Sequence, residues 1–202
     1  MKNISVVFIL LCTCITFISV AQGYKVGDQV KDFSLLNIDG KKASLVRDDE
    51  KLKGYILIFT CNHCPYSVAY QDRIIDLHTR YANLGFPVLA INSNDAEQYP
   101  EDSYDLMVVR AQEKEFKFPY LYDETQEVAK QFGATKTPHV YVLNREGNAF
   151  VVKYIGAIDD NYESPEKVTA NYVAEAVDLL IENKEVKVPF TKAIGCSIKW
   201  KK

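Results

Sequence analysis

The chain has 202 residues, 48% of them hydrophobic and 12% aromatic, which is enough apolar mass for the core of one ordinary domain. Its 24 Lys and Arg stand against 27 Asp and Glu, a formal charge of −3, so there is no basic excess for coating nucleic-acid phosphates or an anionic membrane surface. Nine Gly and seven Pro are ordinary numbers, and no repeat period or low-complexity tract is present, which excludes collagen-like, solenoid, coiled-coil and largely disordered chains.

Lys2 gives a positive start, Ile4 to Val20 is mostly apolar, and Ser19-Val20-Ala21 offers small residues where a signal peptidase reads them. Residues 1–21 therefore read as a secretion signal, leaving a single domain over 22–202. An uncleaved anchor is the competing reading, but the run is short for a span of about 20 residues and is interrupted by Cys12, Thr13, Cys14, Thr16 and Ser19. Cleavage leaves Cys61, Cys64 and Cys196. That is too few for a disulfide-stapled miniature scaffold, so in a compartment where disulfides form these thiols are candidates for chemistry.

Phe33 to Ile38, the Asp39-Gly40 turn and Ala43 to Leu45 predict an N-terminal β-hairpin. Tyr55-Ile56-Leu57-Ile58-Phe59 is a continuous apolar run, as a strand buried on both faces requires. From Pro65 to Leu84 apolar residues recur at helical spacing, and Gly85 stops the helix. Pro87 to Ile91 predicts the next buried strand. Asn92 to Asp105 reads as a polar loop leading into a helix from about Tyr104 to Phe116. Pro119 to Tyr122 is a short strand, Glu124 to Phe132 a helix closed by Gly133, and Val140 to Leu143 a strand that pairs antiparallel with Ala149 to Ile155 across the Asn144 to Asn148 turn. Glu166 to Asn183 is the last helix, and 185–202 is a basic tail without clear regularity. The acidic segments Asp95 to Asp105 and Asp159-Asp160, with Arg47 to Lys53, read as solvated surface. His78 falls on a helix, where packing explains it, and Tyr120, Tyr122 and Tyr141 alternate as core aromatics. Alternation of this kind builds an α/β sheet whose parallel part is covered on both faces, with an antiparallel hairpin at its edge. Ligands in such sheets sit beyond the carboxyl ends of the strands, where Cys61 falls.

Thr60-Cys61-Asn62-His63-Cys64-Pro65 sets two cysteines three apart at a strand-to-helix junction. Unpaired N–H groups and partial positive charge at the helix start favour thiolate over thiol, and Pro65 suits the first helical turn. Such a pair can attack a disulfide, hold the mixed disulfide, and close its own ring to release product. Cys61, preceding the helix and expected to face solvent, is the attacker; Cys64, inside the first turn, resolves. His63, if protonated, adds positive charge that stabilises thiolates and makes the disulfide more oxidising. A structural disulfide, or half of a metal site completed by His139 and Cys196, is the alternative use of the pair. Thr137-Pro138 precedes the Val140 strand, and a cis bond there would turn backbone atoms of Thr137 toward a ligand.

Strand, Cys-x-x-Cys, helix and a Thr-Pro opening a hairpin resemble the thioredoxin fold: a central mixed β-sheet flanked by helices, here with the N-terminal hairpin as an extension. Asp32-Phe33-Ser34-Leu35 through Asp39-Gly40-Lys41 to Ser44-Leu45 further resembles the redoxin branch, which includes alkyl hydroperoxide reductase and thiol-specific antioxidant proteins and secreted thiol-disulfide reductases. Ala90 to Asp95, Gly156 to Asp160 and Gly195 to Trp200 resemble a peroxiredoxin-like subgroup with a thioredoxin-style motif. The resemblance implies Cys61 as nucleophile, Cys64 as resolving thiol and Pro138 as a cis-proline packed against them. Two departures bear on acid–base chemistry: the family's Trp before the first Cys is Thr60, and its buried Asp six positions before that Cys is Tyr55, so the usual proton acceptor is missing or elsewhere. Cys64-Pro65 also resembles the peroxidatic Cys-Pro of peroxiredoxins, whose peroxide-binding Thr is replaced by Cys61 and whose earlier Pro is Leu57.

These readings converge on a secreted or periplasmic thiol–disulfide oxidoreductase acting on protein or small-molecule thiols and disulfides, with no bound cofactor or metal, an external electron donor or acceptor, and no stable membrane insertion after cleavage. Two alternatives stay open: a thiol peroxidase in which Cys64 attacks peroxide and Cys61 resolves, and a copper or zinc metallochaperone. Cys196 is a third redox thiol, an intermolecular partner, or an inert buried residue.

Overall fold

The computed structural model describes residues 23–45 and 49–202; the expected secretion signal and part of the charged loop after the first hairpin lie outside the described residues. Eight strands form one sheet. Among them, β4 (Gly54–Phe59), β5 (Val88–Asn92) and β6 (Tyr120–Tyr122) run parallel at the centre. The long strands β8 (His139–Glu146) and β9 (Ala149–Gly156) continue the sheet antiparallel beside β4. β1 (Gln29–Val30) closes that side against β9, and the hairpin β2 (Ser34–Asn37) and β3 (Lys42–Ser44) closes the other against β6. The order across the sheet is β1-β9-β8-β4-β5-β6-β2-β3.

The sequence explains this order physically. β4 and β5 are buried at every position, as strands covered on both faces must be, and their side chains divide alternately between two cores. Leu57, Phe59, Leu89 and Ile91 face one core with Phe132 and Tyr141; Ile56, Ile58, Val88 and Ala90 face the other with Tyr70, Ile74, Leu77 and Val177. Each such large apolar side chain contributes about 1.5–3 kcal/mol by leaving water. The second core is roofed by α1 (Pro65–Tyr81) and α4 (Tyr172–Ile181), the first by α3 (Glu127–Phe132). The helix α2 (Tyr104–Glu113) buries Met107 and Ala111 on the α1 side. Gly85 ends the 3-10 extension of α1 with φ of 96°, a left-handed conformation that glycine adopts without steric cost.

The hairpin, the buried parallel strands, the Pro65 start of α1 and the β8–β9 pair match the sequence reading. Four segments differ. The last helix begins at Tyr172 rather than Glu166, because a separate 3-10 turn at Pro165–Lys167 intervenes. The stretch expected to be solvated between Asp95 and Asp105 is folded inward at two acids: Asp95 is 3% exposed and Asp102 fully buried, while Glu97, Gln98, Glu101 and Asp105 are exposed as expected. Asp159 likewise is buried, where Arg73 Nη1 at 2.6 Å and the Tyr70 hydroxyl at 2.8 Å supply its partners; Asp160 alone of that pair is exposed, as expected. Charge pairing and hydrogen bonding make these burials tolerable, which a single sequence does not display. The basic tail is not irregular throughout: β10 (Cys196–Ser197) pairs antiparallel with β7 (Lys136–Thr137).

Candidate redox site

The site is built by register. Phe59 at the end of β4 pairs with His139 at the start of β8, which lays the Thr137-Pro138 segment beside the loop that follows β4. The Thr137-Pro138 peptide is cis, matching the position the sequence marked, and Thr137 is 2% exposed. Cys64 is the N-cap of α1 rather than a residue inside its first turn, and Pro65 opens the helix.

Three sulfurs converge on Thr137. Cys61 Sγ donates to Thr137 Oγ1 at 3.4 Å and to Ser67 Oγ at 3.6 Å. Cys64 Sγ lies 3.4 Å from the Thr137 carbonyl oxygen, and Cys196 is the Cα partner of Thr137 across β7 and β10. The disulfide joins Cys64 to Cys196, with Cα atoms 6.3 Å apart, and Cys61 is a buried free thiol. The sequence expectation that Cys61 faces solvent is corrected: it is 4% exposed and Cys64 is 1% exposed, because α1 and the β7 segment close over the strand end. The backbone of Thr137, expected to face a ligand, faces the chain's own tail.

Electrostatics at Cys61 also differ from the helix-terminus expectation. Burial, and secondarily the Asp102 carboxylate, push the Cys61 thiol above its ordinary range, while the Thr137 and Ser67 hydroxyls and the Cys64 backbone pull it down. Loss of hydration outweighs the favourable dipoles. Asp102 is the residue that sequence reasoning missed. It accepts from the Asn62 N–H at 2.8 Å and from Asn94 Nδ2 at 2.6 Å, and its Oδ2 lies 2.7 Å from His63 Nδ1, within ion-pair range but without hydrogen-bond geometry. A buried acid thus lies within 4.8 Å of Cys61 Sγ, from a segment other than position 55. Its one sequence signal is Pro100-Glu101-Asp102 before a helix start, indistinguishable from an ordinary acidic turn.

His63 is half-buried and stacks parallel to Tyr99 at 5.9 Å between centroids. Asn62, also missed, is clamped: its Nδ2 donates to the Glu101 carbonyl at 2.9 Å and its Oδ1 accepts from the Tyr120 hydroxyl at 3.0 Å. Thr60 is 8% exposed and its N–H donates to the Ile91 carbonyl at 2.8 Å, tying the loop to β5. His139 is held apart from the sulfurs in function: its Nδ1 accepts from the Thr135 N–H at 3.3 Å, and burial lowers its pKa to about 4.

For a metal, the donor atoms of Cys61, His63 and Asp102 lie within 4.8 Å of one another, among the described residues. This differs from the set named in the sequence, since Cys64 and Cys196 are bonded to each other and His139 is engaged. Three donors fall one short of a closed zinc tetrahedron.

Comparison with known proteins places the fold. A conserved protein of Geobacillus kaustophilus, described as uncharacterized, superposes with a TM-score of 0.80 at 41% identity, over 88% of this chain and 93% of that one. A putative thioredoxin from Neisseria meningitidis superposes at 0.57 with 22% identity, over 78% and 93%, which shows the thioredoxin-like fold. In sequence, the thiol-disulfide oxidoreductase ResA of Bacillus thuringiensis subsp. konkukian is 24% identical over 155 residues, 70% of this chain and 80% of ResA. Residues 26–159 match the AhpC/TSA family, so the chain, with its thioredoxin-like fold and Cys61/Cys64 pair, belongs to that family.

Proposed function

We propose that the chain is an extracytoplasmic thiol–disulfide oxidoreductase in which Cys61 attacks and Cys64 resolves. The observation that carries this reading is the convergence of a reduced Cys61, an oxidised Cys64 and the cis Thr137-Pro138 segment on one residue, Thr137. A thiol and a disulfide held that close are the reactants of exchange chemistry. The Cys61 thiolate attacks a disulfide sulfur of the partner, one partner thiolate leaves, and Cys64 then displaces the second while the Cys61–Cys64 bond forms. Ser67 and Thr137 hydroxyls, which accept from the thiol, turn to donate to the thiolate. The ResA relatives, named thiol-disulfide oxidoreductases, support the same chemistry. Substrates are protein or small-molecule disulfides, and electrons come from an external thiol donor.

The leader-like residues 1–21 support secretion or a periplasmic location with the signal removed. No helix among the described residues is long and apolar enough to cross a membrane. The peroxidase reading uses Cys64 as attacker; the Cys64–Cys196 disulfide does not separate it from the exchange reading, since both need Cys64 as a thiol before that bond forms.

The test is rapid mixing of the reduced chain with a small aromatic disulfide, followed by mass mapping of the trapped mixed disulfide. The expected result is an adduct on Cys61, made durable by Cys64→Ser and abolished by Cys61→Ser. Equal rates for wild type and Cys61→Ser would overturn the assignment.

A further inference from the structure

Cys196 is neither exposed on the surface nor packed inert in a core. The strand that carries it pairs with β7, and the residues after it are fixed on both sides. The Ile198 N–H donates to the Thr135 carbonyl at 3.1 Å, the Lys199 N–H to Asn94 Oδ1 at 2.9 Å, and the Lys201 N–H to Gln126 Oε1 at 2.8 Å. Ile198 is 3% exposed within the core under Phe132. Gly195 lies so close to Thr137 that a Cβ there would fall 2.3 Å from the Thr137 carbonyl oxygen. The tail is therefore built to hold one sulfur at the cis-proline segment, where it meets Cys64 across a sequence separation of 132. Cys61, three residues from Cys64 and on the same threonine, is left reduced.

We propose that Cys196 is a second resolving thiol, which takes the disulfide over from Cys61 and returns Cys61 to its reduced state. The step rests on the exchange reading above, in which substrate reduction ends with a Cys61–Cys64 disulfide. The Cys196 thiolate attacks Cys64 Sγ, the Cys64–Cys196 bond forms, and the Cys61–Cys64 bond breaks. Cys61 departs as a thiolate and takes up one proton, matching the proton Cys196 gave up. One disulfide is consumed and one formed, so the transfer needs no oxidant or reductant. The structure shows its end state. Cys64 is the shared sulfur of both disulfides, and Thr137, which touches Cys61 and Cys64 and pairs with Cys196, is the platform on which the bond changes partners. An external thiol then reduces the Cys64–Cys196 bond to complete the cycle.

The experiment follows the disulfide over time. The purified chain, expressed in full and reduced, receives one equivalent of a small disulfide, is quenched at intervals with an alkylating agent, and is mapped by peptide mass. Wild type should show Cys61–Cys64 first, then its conversion into Cys64–Cys196 with Cys61 alkylated. In Cys196→Ser the Cys64–Cys196 species is lost and the reaction halts at Cys61–Cys64. In Cys61→Ser, formation of Cys64–Cys196 slows by at least about a thousandfold, because only the direct route through buried Cys64 remains. A wild-type end point of Cys61–Cys64 with Cys196 alkylated would overturn the relay and leave the exchange reading standing. Formation of Cys64–Cys196 in Cys61→Ser at the wild-type rate would overturn the exchange reading itself. The wild-type time course decides the relay even if a variant fails to fold.

Discussion

The carboxyl ends of β4 and β5 lie side by side in the sheet, and they are finished in opposite ways. Beyond β4 the buried groups around the redox pair are sulfurs and hydroxyls, Cys61, Cys64, Ser67 and Thr137, with contacts of 3.4–3.6 Å to one another, and the amide of Asn62 is clamped by shorter bonds. Beyond β5 they are amides and carboxylates: Asn92, Ser93, Asn94, Asp95, Asp102, Asp123 and Gln126. Here the bonds are short: Ser93 Oγ donates to Asp123 at 2.8 Å, Asn92 Nδ2 to the Asp102 carbonyl at 2.8 Å, and Gln126 Nε2 to the Ser93 carbonyl at 2.7 Å. A satisfied polar network specifies one arrangement, whereas weakly held sulfurs are free to exchange partners. The β5 end thus serves as a rigid anchor for the reactive β4 end, and Asp102, through Asn62 and beside His63, is where the two meet.

The largest effect that would test this division is chemical. Cys61→Ser should reduce disulfide exchange with a small aromatic disulfide by at least about a thousandfold, as loss of a nucleophile does, while circular dichroism and thermal unfolding stay near wild type. A variant that retains exchange would show that the β4 end is not the reactive one.

Acid sensitivity sharpens the contrast next. His139 starts β8, and burial holds its folded pKa at about 4, below its ordinary 6.5. Between those values the unfolded chain binds a proton that the native chain does not, so stability is undiminished above about pH 6.5 and falls as pH drops toward 4. The loss is about 1.4 kcal/mol per pH unit, on the order of 3 kcal/mol in full. Denaturant midpoints at pH 7 and pH 4.5 measure it, and His139→Gln should flatten that part of the dependence.

Asp102→Asn probes the junction. Removing the carboxylate charge lowers the pH at which Cys61 becomes alkylated, since the charge opposes the thiolate. An unchanged alkylation profile would place Asp102 with the anchor alone. Smallest is Tyr120→Phe, which removes the hydroxyl donated to Asn62 Oδ1 and should lower unfolding stability by about 1 kcal/mol while leaving the order of disulfide formation unchanged.

The β4 end was legible in the sequence because its signals are local: an apolar run, two cysteines three apart, Pro65 at the helix start and Thr-Pro before the next strand. The β5 end was not. Asn92 to Asp105 has the composition of a solvated loop, and its burial depends on partners far away in sequence, such as Asp123, Gln126 and Lys199. The depth of Cys61 was hidden for the same reason, since the β7–β10 pair that covers the site joins residues about sixty positions apart. The choice of Cys196 as the partner of Cys64 follows from that pair, and no spacing rule reveals it.

The tail strand also has a consequence for damage to the protein. Cys196 and Ser197 are the strand that pairs with β7, and the same short strand carries the sulfur bonded to Cys64. A proteolytic cut that releases this strand uncovers β7 and removes the partner of Cys64, while Cys61 and Cys64 stay in place to bond each other. Loss of a surface segment is thereby reported at the buried pair, as a change in which cysteine remains free.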